Sequence, residues 1–280
     1  MKFNKWVLIT GVSSGIGLYN ANEMVKGPYR VIGSVRDRNI QYKTLDPRVV
    51  LIEMDQSLET SISNAFQVIK QILGNEKLFA LINNAGIAVP GPLVELPMEQ
   101  FREQFNVNLF GVLRCTQLAF PLFETGSRII NISSVSGLIT SPFTGAYSSS
   151  KFALEALSDA LRRELMLLGI KVILIEPGPL KTKIWKKNLG VGENFKHSVF
   201  SKVLARADAI IEETERNALP VEAIWPSINK ALELKNPSNR YIVHKRAWMI
   251  KILAHFFPSK YLDQMIFKNL RSQNHKIRPI

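Results

Sequence analysis

A single cysteine, Cys115, excludes any internal disulfide, so the chain needs no oxidising compartment and a reduced cytoplasm is the expected location. Only four histidines are present, and His197, His244, His255 and His275 lack ligand spacing, which predicts no metal site. No apolar run reaches the roughly 18 residues that suggest a membrane span. The most lipid-like stretch, residues 247–257, is interrupted by Lys251 and His255. The opening MKFNKWVLITG carries a short basic start directly into an apolar strand, and no export signal is expected from it. Internal repeats, low-complexity tracts and nucleic-acid recognition motifs are missing as well, so nucleic acid is not an expected partner.

What the chain has is enough apolar material, 46% of 280 residues, to bury a substantial core. It also has a lopsided charge. The formal net charge is +13, and from residue 181 onward 19 lysines and arginines face eight acids, whereas the first 180 residues are nearly neutral. A basic half of this kind is either a solvated face or a contact for an anionic surface.

Strand-length apolar runs recur at residues 5–10, 31–35, 49–54, 79–82, 128–132 and 172–175, with a last one at 240–243. Helix-length segments fall between most of them, at 15–26, 58–73, 98–118, 146–168 and 221–234. This alternation predicts a parallel sheet covered on both faces, with ligands bound beyond the carboxyl ends of the strands. Residues 181–220 break the pattern with a polar, basic stretch and are expected to form a lid beside that edge.

Directly after the first strand stands Thr10-Gly11-Val12-Ser13-Ser14-Gly15-Ile16-Gly17. Its glycines let the backbone turn tightly and approach a pyrophosphate, and the following helix aims its N-terminal amides at the phosphates. Tyr147 and Lys151, four residues apart in a helix-forming segment, share one face. A phenol with a reference pKa of about 10 is protonated at neutral pH, and a neighbouring ammonium is expected to favour its anion.

With these motifs the chain resembles the short-chain dehydrogenase/reductase family. The likeness continues through Asn83-Asn84-Ala85-Gly86, Asn108, Ser134, Tyr147-Ser148-Ser149-Ser150-Lys151 and Pro177-Gly178, in order, over residues 5–182. It implies one doubly wound α/β domain of Rossmann type spanning residues 1–280, with the substrate lid at 181–220 and a basic amphipathic extension at 244–280. By this resemblance Tyr147 exchanges a proton with the alcohol or ketone oxygen, Ser134 hydrogen-bonds the same oxygen, Lys151 also holds the nicotinamide ribose, and Asn108 holds a water linking Lys151 to solvent. The cofactor residues it implies are Gly11, Ser13, Ser14, Gly15, Ile16, Gly17, Asp55 at the adenine, Asn83, Ala85 and Gly86 beside the cofactor, Tyr147, Lys151, Pro177, Gly178, and Thr182 at the carboxamide.

Cofactor choice turns on the end of the second strand. An NAD-selective site places a carboxylate there for the ribose hydroxyls, but this chain has Val35 followed by Arg36, which suits a 2′-phosphate. NADP(H) is therefore expected. Asp37 is the competing feature, and NAD(H) is the alternative.

Residues 89–96 and 137–143, expected to border the pocket, are rich in Pro, Leu, Ile, Val and Phe, which predicts an apolar ketone, aldehyde or alcohol substrate. Ile175-Glu176-Pro177-Gly178 and Val35-Arg36-Asp37 are similar to the hydroxysteroid and retinol dehydrogenase branch, implying a steroid-, retinoid- or lipid-like substrate. A catalytically silent NADP(H)-binding sensor or scaffold of the same fold is the competing function. Family likeness also implies a homodimer or homotetramer through the 98–118 and 146–168 helices. Residues 244–268 interleave large apolar side chains with lysine and arginine. They are expected to pack on the domain or cap the pocket, with peripheral contact to an anionic bilayer as the second reading.

Overall fold

In the computed structural model, residues 5–182 and 184–272 are described. Seven strands, β1 (Lys5–Ile9), β2 (Tyr29–Val35), β3 (Val50–Glu53), β4 (Leu78–Asn83), β5 (Arg128–Ile132), β6 (Lys171–Pro177) and β7 (Arg240–Val243), form one sheet in the order β3-β2-β1-β4-β5-β6-β7. Every pairing is parallel. The order reverses between β1 and β4, which opens a crevice at their carboxyl ends. This is the Rossmann-type doubly wound arrangement.

Alternation along the strands sorts their side chains. Val7 and Ile9 face one core with Val31, Ile82, Ile130 and Ile175, where α1 (Gly15–Met24) and α9 (Trp225–Glu233) cover the sheet. Trp6 and Leu8 face the other with Ile32, Leu81, Ile129 and Val172, packed under α2 (Glu59–Leu73) and α4 (Gly111–Ala119). These branched side chains suit a sheet buried on both faces, and each fully buried one is worth about 1.5–3 kcal/mol of transfer free energy.

Two predicted helices differ in detail from expectation. The 98–118 segment is not one α-helix: α3 (Met98–Phe105) passes through a wide π turn (Asn106–Phe110) before α4 begins. A Cβ at Gly111 would lie 2.2 Å from the Gln56 carbonyl oxygen, so that close approach is open only to glycine. Periodicity does not reveal a one-residue widening, and such turns are frequent at functional sites. The 146–168 helix, α5 (Gly145–Leu165), ends three residues early in a 3-10 turn (Met166–Leu168) closed by Gly169 in the left-handed region.

The 181–220 segment is not an irregular stretch. It contains α6 (Val191–Asn194), α7 (Ser201–Leu204) and α8 (Ala207–Asn217), and it lies against the carboxyl edge of the sheet. Past β7 come α10 (Ala247–Phe256) and α11 (Ser259–Ser272). Among the described residues, no helix is long and apolar enough to cross a membrane.

Candidate active site

The glycine loop follows β1 at the crevice. Gly11 has φ +73°, and a Cβ there would sit 2.9 Å from the Ala85 Cα, so this turn needs glycine for both conformation and space. Gly17 is needed for closeness alone, because its Cβ would fall 2.1 Å from the Gly11 carbonyl oxygen. Ser14 precedes α1 in extended backbone without a side-chain cap, and the first turn carries no acid. The helix thus presents uncapped amides, with Ser13 exposed at the loop tip and Ile16 lining the adjoining pocket. An uncapped helix terminus behind a glycine cradle fits an anionic pyrophosphate.

Neighbouring residues lock the loop. Thr10 Oγ1 accepts from the Asn84 and Ala85 amides at 3.0 and 2.9 Å, and Asn84 Nδ2 donates to the Thr10 and Gly11 carbonyls at 2.8 and 3.0 Å. Asn84 and Gly86 also line the pocket. Asn83 ends β4 and is not among the residues that line the pocket. Its side chain is buried in the sheet and donates to Asn131 Oδ1 at 2.8 Å, stitching β4 to β5. Asn84 follows the strand, and its side chain turns back to the Gly11 loop.

Across the mouth Thr182 lies over the loop, close enough that a Cβ on Gly15 would touch its side chain at 3.4 Å. Pro177 and Gly178 line the pocket at the end of β6. Arg36 follows β2 immediately and is exposed. The Asp37 carboxylate accepts from the Asn39 amide at 2.8 Å and so belongs to its own turn. Asp55 likewise holds the turn into α2, accepting from the Ser57 amide and hydroxyl at 2.8 and 2.6 Å.

Ser134, Tyr147 and Lys151 converge on one cavity of about 500 Å³, whose walls include Phe143, Leu180, Ile184, Trp185 and Leu204. A cleft of about 290 Å³ walled by Pro179, Glu213, Asn217 and His244 holds none of the three. Ser134 accepts from the Ser136 amide at 3.1 Å, which fixes its hydroxyl at the end of β5. Lys151 Nζ donates to the Ile132 carbonyl at 2.7 Å and stands 5.8 Å from the centre of the Tyr147 ring.

The phenol pKa runs opposite to the expected lowering by lysine. Burial raises Tyr147 above its ordinary value, and the hydrogen bond with Ser134 opposes that rise. Burial also pushes the Lys151 ammonium down to about 8, countered by the Glu155 carboxylate one helical turn further on. In this state the pair is a protonated phenol beside an amine that is mostly charged at neutral pH.

The Asn108 side chain is tied to the loop after β4 and to α5. Its Oδ1 accepts from the Ile87 amide at 2.9 Å, and Nδ2 donates to the Ile87 carbonyl at 3.0 Å and Ser150 Oγ at 3.2 Å. Both amide hydrogens are therefore committed, and the π turn is what aims the side chain at this loop.

Three features escaped the sequence reading. Trp185 lays its edge on the Tyr147 ring at 5.4 Å between centroids. Phe143, at φ +62° on the pocket rim, meets Phe200 of the 181–220 segment at 5.6 Å. Behind Lys151, Arg240 pairs with Glu155, Asp159 and Glu176 at 3.2, 3.0 and 3.2 Å. Only Glu155 had a local signal, its helical spacing from Lys151; the others depend on contacts between distant parts of the chain.

Burial and the Glu155 charge push Glu176 up to about 8 despite Arg240. The folded protein thus holds a proton that the unfolded chain releases near pH 4 to 5, so this group's stabilisation is present in acid and lost as pH rises to about 8. Glu176→Gln, a mimic of the protonated acid, should melt progressively higher than wild type as pH is raised through this window. A melting difference independent of pH would show that Glu176 ionises normally.

Comparison with known proteins agrees with this geometry. Residues 5–190 match the family model described as short chain dehydrogenase. An NADPH-dependent 3-dehydrocapnine reductase from Ornithobacterium rhinotracheale is 37% identical over 278 residues, covering 95% of this chain and 98% of that protein. Mouse retinol dehydrogenase 16 is 29% identical, with coverage of 94% and 88%. A short chain dehydrogenase from Burkholderia cenocepacia, solved in complex with NADP, superposes with a TM-score of 0.71 at 22% identity, covering 95% of this chain and 99% of that one. A glycine cradle at the sheet's switch point, a serine–tyrosine–lysine cluster beside it and a family match over both place this chain in the short chain dehydrogenase family of oxidoreductases.

Proposed function

We propose that the protein is an NADPH-dependent reductase converting an apolar ketone or aldehyde to the alcohol, with Tyr147 as the proton donor. The observation that carries this reading is the convergence of Ser134, Tyr147 and Lys151 on one largely apolar cavity that opens beside the uncapped helix and glycine loop. Reduced nicotinamide, when bound, supplies the hydride.

The chain's own residues do the rest. Burial keeps the Tyr147 hydroxyl protonated, so it stands ready to give its proton to a carbonyl oxygen. Ser134 lines the same cavity, and its single hydroxyl hydrogen, which donates to the Pro177 carbonyl at 3.4 Å, can turn to that oxygen and polarise the carbonyl. Lys151, held by Ile132, keeps a positive charge near the phenolate left behind. Trp185 and the walls from residues 181–220 keep water away and favour an apolar body on the substrate.

Arg36 supports NADPH over NADH, because it is exposed past β2 while Asp37 is engaged locally. The relative named as NADPH-dependent points the same way. Arg36→Ala should lower kcat/KM with NADPH by about 10- to 100-fold, the worth of a charge-assisted hydrogen bond, and leave the NADH value nearly unchanged. A wild-type preference for NADH, or an unchanged ratio in the variant, would overturn this assignment. The reading also includes self-association through α4 and α5, beside which Phe110, Phe120 and Phe152 are exposed; a monomer by light scattering would remove that part.

A further inference from the structure

The helix pair after β7 carries two apolar rows, one half-buried and one exposed. On α11, Leu262, Ile266 and Leu270 recur every four residues and are half-buried, and Leu270 lines the cavity. This face is the pocket-capping side expected from the sequence. The other row is turned to solvent. Trp248, Ile252 and Phe256 recur every four residues on α10, and Phe257, Tyr261 and Met265 carry the same spacing into α11. All six are exposed, Trp248 by 69% and Phe256 by 79%. An exposed set of large apolar side chains of this kind on a water-facing surface marks a contact.

Charge selects the partner. Lys245, Arg246, Lys251, Lys260 and Lys268 are exposed on the same helices or at their start. From residue 244 onward the sequence has eight lysines and arginines and a single acid, Asp263. A second copy seated on this strip would bring two such cationic sets face to face. An acidic lipid surface instead neutralises them while the aromatic rings enter the boundary between headgroups and acyl chains. The helices are too short and too charged to cross, so the contact lies in the plane of the surface.

We propose that α10 and α11 dock the enzyme peripherally on an anionic bilayer, with Trp248, Ile252, Phe256, Phe257, Tyr261 and Met265 inserted and the flanking lysines on the headgroups. This inference is independent of the NADPH reading, because it rests on the outward face of the helices and is tested without turnover.

The test is sedimentation of the full-length protein with phosphatidylcholine vesicles, with and without phosphatidylglycerol. Binding to the anionic vesicles should exceed that to neutral ones by about tenfold or more and weaken with salt. Trp248→Glu/Ile252→Glu should lose about tenfold in binding while keeping the wild-type melting temperature, since both side chains are exposed. Lys245→Gln/Lys260→Gln, which leaves the apolar strip intact, should weaken anionic binding alone and serves if the first variant misfolds. Wild-type protein that stays in the supernatant with anionic vesicles, or equal sedimentation of wild type and a folded Trp248→Glu/Ile252→Glu variant, would overturn the proposal. So would a wild-type dimer that this variant converts to a monomer with no change in vesicle binding, which would identify a second copy as the occupant.

Discussion

Tyr147→Phe should lower kcat for ketone reduction by about 10²- to 10⁴-fold, the usual worth of a positioned general acid. The change deletes one oxygen atom from a side chain that is 7% exposed and leaves the ring against Trp185. Affinity for NADPH should therefore stay near wild type, and melting temperature should hold or rise, because a buried hydroxyl is removed together with the need to satisfy it. Stopped-flow consumption of NADPH, with dinucleotide affinity measured separately by fluorescence, separates lost chemistry from lost binding. Near wild-type turnover in this variant would remove Tyr147 from the mechanism.

The second large effect belongs to the glycine loop. Gly17→Ala places a methyl group 2.1 Å from the Gly11 carbonyl oxygen and 2.5 Å from Asn84 Nδ2, neither of which has room to move without breaking the Thr10–Asn84 lock. The loop must shift away from α1. That should cost about 1–3 kcal/mol of stability as overpacking and lower dinucleotide affinity by about 100-fold or more by misaligning the helix amides. Gly27→Ala is the control, since a Cβ there meets nothing closer than 3.5 Å and the position is not at positive φ. Calorimetric titration with NADPH should show loss of binding in the first variant and none in the second. Equal affinities would mean that the close approach at Gly17 is not what shapes the phosphate site.

The sequence reveals most of the fold because strands buried on both faces leave a simple mark. Runs such as Ile129-Ile130-Asn131-Ile132 stand between helical patterns, and a parallel sheet with helices on both faces covers such runs. It reveals the Ser134, Tyr147 and Lys151 cluster for a related reason. Tyr147 and Lys151 sit one turn apart, so local geometry brings them together, and Ser134 lies at the next strand end. What it misses depends on which side a residue faces or on distant contacts. Asn83 and Asn84 are chemically alike, and only the place where β4 ends puts the first in the sheet and the second at the Gly11 loop. Arg240 reaches Glu155 from 85 positions away, and Trp185 meets Tyr147 through the fold of the 181–220 segment. The phenol's raised pKa is hidden for the same reason, since it comes from burial that only the assembled fold creates.

The proposed reduction requires that the carboxyl edge of the sheet seat a dinucleotide against Tyr147. The most direct measurement is a crystal structure of the protein with NADPH. The expected complex has its pyrophosphate on the amides that open α1, the 2′-phosphate within reach of Arg36, and the nicotinamide between Ile16 and Thr182 facing the Tyr147 hydroxyl. A dinucleotide bound elsewhere, or one whose nicotinamide points away from Tyr147, would contradict it.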